Sequence, residues 1–146
     1  MKTRNLELLV AVVAILVLIG AVAVFFSGGS STNLPAGCSR PQGGFLIIAS
    51  KLGYNDSVDH GVPANPWPVI NVKQGQQVNI TVCNTDVQAH GFQVQHYFDG
   101  TIESIAPGQA VHVSFLADQT GSFQMYCSIF CSIHAFMQSG LLRVTS

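Results

Sequence analysis

The sequence predicts an all-β domain, a Greek-key sandwich or barrel, behind a single N-terminal transmembrane helix. Short apolar runs with period-two alternation predict the strands, turn dipeptides between them predict the connections, and one long apolar stretch predicts the helix. Phe45–Ala49 is a compact apolar run, expected to be a strand buried on both faces. Val69–Val72 follows the stiff Pro63–Pro68 segment as a second run. Gln77–Cys83 alternates strictly, with Val78, Ile80 and Val82 on one face. Phe92 and Val94 repeat the pattern, as do Val111, Val113 and Phe115. Phe123 and Met125 lead into Cys127, and Gly140–Val144 supplies a final run. Asn-Asp at 55–56, Gln-Gly at 74–75, Asp-Gly at 99–100, Pro-Gly at 107–108 and Thr-Gly at 120–121 separate them. No amphipathic helical pattern competes, and seven or so short strands at this spacing read as a Greek-key fold.

Leu8–Phe26 is an unbroken run of 19 apolar or glycine residues. As a helix it spans roughly 28 Å, close to the hydrocarbon core of a bilayer. Lys2 and Arg4 precede it and the next basic residue is Arg40, so the positive-inside rule places the N-terminus in the cytoplasm and the rest outside. A cleaved signal peptide is the competing reading, with Ala21-Val22-Ala23 as a cleavage site. The run continues past that point through Phe26 and exceeds a signal core of about 7–15 residues, which favours a retained anchor. Either way the domain lies on the extracytoplasmic side. Ser27–Gly37 has the composition of a flexible linker. The chain thus divides into an anchor at 1–27, a linker at 28–42 and one β domain at 43–146, and its 146 residues leave no room for a second domain. Net charge is −1 and only 9% of residues are charged, so no field exists to draw in nucleic acid.

Chemistry concentrates in Cys127-Ser-Ile-Phe-Cys131-Ser-Ile-His134-Ala-Phe-Met137. Thiols, an imidazole and a thioether in one loop are soft donors that favour copper. A distant imidazole is available from His90, in Asn84-Thr-Asp-Val-Gln-Ala-His90-Gly-Phe, where a loop follows a strand end. One Cys, two His and a weak Met form the donor set of a blue-copper site. Two other readings stand beside this. Cys127 and Cys131 could be a disulfide, which would leave His90 and His134 unexplained. A Cys₂His₂ zinc site is a further possibility, although His90 stands alone in its loop where zinc sites pair their ligands.

The same residues resemble subunit II of haem–copper terminal oxidases, whose loop reads C-x3-C-x3-H-x2-M and whose upstream element reads roughly D-V-x-H-G-F. Asp86–Phe92, the Ala106-Pro107-Gly108 turn and Gly121–Cys127 match that family's elements, and the single-helix architecture is similar to its B-type members. The resemblance runs from about Leu52 to Val144, plus the anchor. It implies a cupredoxin-like domain with a dinuclear copper centre, CuA, in which Cys127 and Cys131 bridge two coppers. His90 and His134 then supply one imidazole each, Met137 is a weak ligand, and the Ile129 backbone carbonyl completes the set. It also implies partners: a haem-bearing subunit I in the membrane, and cytochrome c or a small copper protein as external donor. This chain would be a non-catalytic electron-input subunit, without a nucleophile–base pair of its own. Two spacings depart from the family: Cys131–His134 is one residue shorter, and Asp86–His90 one residue longer. The shorter one is found in a mononuclear blue-copper protein, so a free-standing, membrane-anchored carrier with one copper is the alternative. Cys127 favours two coppers, because a mononuclear site has no use for a second thiol there.

Cys38 and Cys83 remain as a pair, expected to form a disulfide outside the cell. His96 and His112 fall on polar strand positions and are expected at the surface or behind the ligands. His60 is expected to be solvated in a loop, and Trp67 to serve packing.

Overall fold

A computed structural model of the chain describes residues 34–55, 59–99 and 104–146. The predicted anchor and the first part of the predicted linker lie outside the described residues. The strands are β1 (Phe45–Ser50), β2 (Gly53–Tyr54), β3 (Val69–Lys73), β4 (Gln77–Asn84), β5 (Gln93–Val94), β6 (Ala110–Leu116), β7 (Gly121–Tyr126) and β8 (Gly140–Thr145). They form two sheets of four, ordered β2-β1-β4-β6 and β3-β8-β7-β5. The all-β class expected from the sequence is found, and each sheet is mixed. β1 runs parallel to β4 with Phe45 opposite Ile80, and β3 parallel to β8 with Val69 opposite Leu141. The remaining pairs are antiparallel.

Alternation explains which residues meet. Val78, Ile80 and Val82 of β4 are buried together with Ile47 and Ala49 of β1 and Val113 of β6. From the other sheet Ile70, Val72, Phe123, Met125, Leu142 and Val144 join the same apolar cluster. Each fully buried side chain of this size contributes about 1.5–3 kcal/mol relative to exposure. β1 departs from its expected double burial: Leu46 and Ile48 are only partly covered, while Ile47 and Ala49 are fully inside. Leu46 and Ile48 point to the opposite face of the strand from Ile47 and Ala49 and so gain less burial.

Turns between strands use glycine where the chain must enter the left-handed region. Gly75 (φ +82°) and Gly108 (φ +74°) occupy the Gln-Gly and Pro-Gly turns, with space around each Cβ position. Before β1, Cys38 is joined to Cys83 by a disulfide with Cα atoms 5.5 Å apart. The bridge fastens the segment ahead of β1 to the end of β4, where the chain departs toward His90.

Candidate metal centre

Two loops build the site. The first leaves β4 at Asn84, whose buried side chain organises it. Asn84 Nδ2 donates to the Gln88 and Ile105 carbonyls at 2.7 and 2.8 Å, and Asn84 Oδ1 accepts from the Asp86 N–H at 2.9 Å. A short bridge between His90 and Ile105 then seats His90 in the interior, with its side chain fully enclosed. The second loop connects β7 to β8. Its base is closed by the Cys127 N–H donating to the Met137 carbonyl at 2.9 Å, and a 3₁₀ turn over His134–Met137 ends it. Gln88 ties the loops together: its Nε2 donates to Ser132 Oγ at 2.7 Å, and its Oε1 accepts from the Ser132 N–H at 3.3 Å.

The two loops bring His90, Cys127 and Cys131 together, with one donor atom from each lying within 4.8 Å of the others. Both cysteines are unbridged and buried, so the disulfide reading of this pair is not what the structure holds. Met137 is fully buried, with its Sδ 4.0 Å from Cys131 Sγ. The Ile129 carbonyl points into the cluster, accepting from Cys127 Sγ at 3.1 Å. His134 sits at the edge: its Nδ1 bonds that same carbonyl at 2.9 Å and its ring lies 5.7 Å from Phe130. Two expected donors, the Ile129 carbonyl and the His134 imidazole, therefore satisfy each other.

One test of fit comes from an unpaired atom. His90 Nε2 bonds Asp86 Oδ2 at 3.0 Å, while the buried His90 Nδ1 has no hydrogen-bond partner among the described residues. A buried imidazole nitrogen without a partner is costly, and a metal removes that cost. Asp86 meanwhile fixes the ring orientation through the opposite nitrogen, the usual arrangement behind a ligating histidine.

Electrostatics prepare the thiols unequally. Burial pushes the Cys127 thiol up, but the nearby His90 imidazole, the Gly91 and Ile129 backbone and the His134 imidazole outweigh it and hold its pKa below the ordinary value. Burial also pushes Cys131 up, and the neighbouring Cys127 charge adds to it, so Cys131 keeps its proton longer. Burial opposes a charge on His90, yet its contacts with Cys127 and Asp86 prevail and raise its pKa.

Three participants were not legible in the sequence. Tyr54 donates its hydroxyl to the Gly91 carbonyl at 2.5 Å. The Gly91 N–H donates to Cys127 Sγ at 3.2 Å. Gln138 Nε2 donates to the Cys127 carbonyl at 3.1 Å. Gly91 must be glycine, because a Cβ there would lie 2.1 Å from Ser128 Oγ and 2.8 Å from the Ser128 nitrogen. Gly91→Ala is expected to weaken metal binding by about tenfold or more, as changes just behind ligands do. Competition against a chromophoric chelator measures it, and an unaltered affinity would contradict the close approach.

The remaining histidines divide. His96 and His112 are exposed, His112 bonding Thr81 Oγ1 at 2.9 Å. His60 corrects its expectation: it is buried, not solvated, with Nε2 on the Leu52 carbonyl and its ring edge-on to Phe136 at 6.0 Å. Apolar packing against Phe136, in the loop between β7 and β8, pulls this loop residue inward. Trp67 is exposed, lying beside Phe45 and Pro68.

Solved structures share the fold. A copper nitrite reductase from Nitrosomonas europaea matches 70% of this chain and 41% of its own, with TM-score 0.56 and 21% identity. Auracyanin from Roseiflexus castenholzii matches 74% of this chain and all of its own, with TM-score 0.54 and 16% identity. The chain therefore has the cupredoxin-like fold of copper proteins, and its clustered donors are of the soft kind that fold presents. In sequence it is similar to a nitrous-oxide reductase from Pseudomonas fluorescens, 34% identical over an alignment of 116 residues that covers 66% of this chain. The chain spans only 18% of that relative. No family model matches.

Proposed function

We propose that this domain is a copper electron-transfer module with a dinuclear CuA-type centre. The carrying observation is the buried, unpartnered His90 Nδ1 beside two unbridged thiols. Cys127 and Cys131 would hold the metals as thiolates, with His90, His134, Met137 and the Ile129 carbonyl completing the donors. These donors outnumber what one trigonal blue-copper ion takes, which favours two metals. Bound copper supplies one-electron redox chemistry. The protein holds its donors on a loop closed at the base and clasped by Gln88, so they move little. The likeness to nitrous-oxide reductase agrees with a CuA-type site.

The wider role follows the resemblance to subunit II of haem–copper oxidases. In this reading the domain accepts electrons from cytochrome c or a small copper protein and passes them to haem in subunit I. Val87, Phe130 and Phe136, all exposed on the ligand loops, give an apolar rim suited to such a donor. A nitrous-oxide-reducing partner is the second reading, favoured by the sequence similarity. The shortened Cys131–His134 spacing favours a third, a mononuclear free-standing carrier. Copper analysis and electron paramagnetic resonance test the centre: a ratio near two with hyperfine splitting from two equivalent nuclei is expected. One copper with a single-nucleus spectrum would refute the dinuclear centre. Purification from solubilised membranes tests the role, with a co-purifying haem subunit expected.

The predicted helix at Leu8–Phe26 would hold the domain at the extracytoplasmic face of the membrane, and the Cys38–Cys83 disulfide suits that oxidising side. Mass spectrometry of the mature protein is expected to find the helix retained. An N-terminus near Val24 or Ser27 would show a cleaved leader instead.

A further inference from the structure

One polar side chain reaches the donor cluster from an element that carries no ligand. Tyr54 ends β2, is fully buried, and donates to the Gly91 carbonyl at 2.5 Å. Its ring stands edge-on to Phe92, centroids 5.9 Å apart at 80°, so the hydroxyl has a fixed direction. On the other side of the same residue, the Gly91 N–H donates to Cys127 Sγ at 3.2 Å. Glycine has the widest backbone freedom of any residue, and Gly91 has no side chain to limit it. Its two peptide planes are therefore held by their partners: Cys127 on the N–H side and Tyr54 on the carbonyl side.

We infer that Tyr54 is a positioning residue for the metal centre, acting through Gly91 to keep the Gly91 N–H on the Cys127 sulfur. The inference rests on the copper reading above for its redox consequence, though not for its geometry. An N–H donated to a thiolate draws electron density from sulfur and favours the reduced, more electron-rich centre. Hydrogen bonds to the sulfurs are one of the means by which proteins set the potentials of metal–sulfur centres. Removing the Tyr54 hydroxyl leaves a buried carbonyl unpaired and lets the Gly91 peptide turn to find another donor.

Tyr54→Phe in the full chain tests this, since it keeps the ring and deletes only the hydroxyl. Copper content is expected to stay at the wild-type ratio. The redox equilibrium is expected to move toward the oxidised form by up to about tenfold, which is 59 mV for one electron. In the metal-free protein the Gly91 amide is expected to exchange about tenfold faster relative to the core amide of Val82, a comparison that cancels any global loss of stability. Ile80→Val, in the middle of β4, is the control and should change neither quantity. If Tyr54→Phe lowers stability but leaves the potential and the relative Gly91 exchange unchanged, Tyr54 only packs and the inference is wrong. If wild-type protein takes up no copper, the copper reading fails instead, and the Gly91 exchange alone then decides the positioning role.

Discussion

Cys127→Ser is expected to collapse the metal centre, either to one copper or to none. Cys127 is the donor that a dinuclear centre needs and a mononuclear one does not. It also sits where several contacts converge: the Gly91 N–H on its sulfur, the Ile129 carbonyl 3.1 Å away, and Cys131 within the same donor cluster. A serine oxygen is harder and far less readily ionised than a thiol, so half of the proposed bridge disappears. Metal analysis and paramagnetic resonance of the variant give the answer. A variant that keeps a single copper with the wild-type spectrum would show that Cys131 alone is the thiolate ligand. The shortened loop would then have made a blue-copper site. Cys131→Ser damages the centre under either reading and so serves as the reference for complete loss.

The second large effect is on stability. Replacing Cys38 and Cys83 together by alanine opens a loop with a sequence separation of 45. The chain-entropy account assigns such a closure about 3–4 kcal/mol. That is a large share of the roughly 5–15 kcal/mol by which a domain is stable. The loss should exceed what chain entropy alone gives to a surface bridge, because Cys83 is fully buried and adjoins Asn84, the residue that organises the His90 loop. Urea unfolding of the double variant measures the change. A loss below about 1 kcal/mol would mean the bridge restrains little, and two readily alkylated thiols in the native wild type would mean it is not formed.

Much of the fold was legible because strands longer than about four residues announce themselves by alternation. β4 is the clearest case, with Val78, Ile80 and Val82 inside as their spacing requires. The loop between β7 and β8 stood out for a different reason: its cysteines, histidine and methionine lie close together in the chain. What stayed hidden depends on contacts between distant residues. β2 is only two residues long, so no periodicity marks it, and Tyr54 finds Gly91 across 37 positions of sequence. The Gln88–Ser132 clasp spans 44 positions and involves residues common on any surface. His60 looked solvated because its neighbours in sequence are polar or glycine. Its neighbour in space is Phe136, which no local pattern reveals.

The parallel pairing of β3 with β8 has a consequence for assembly. Among the described residues β3 is an edge strand paired with β8 alone, and all of β4 to β7 lies between them in the chain. Such distant pairings form slowly, because loop-closure entropy must be overcome before the contact is gained. Until then Ile70 and Val72 belong to an apolar segment with an open edge, exposed to other chains. The spacing of the ligand loop's two ends is set by β7 pairing with β8, in the same sheet. β7 and β8 are close in the chain, so this loop can close before β3 docks on β8. The late step is therefore the shielding of Ile70 and Val72, and not the closing of the loop.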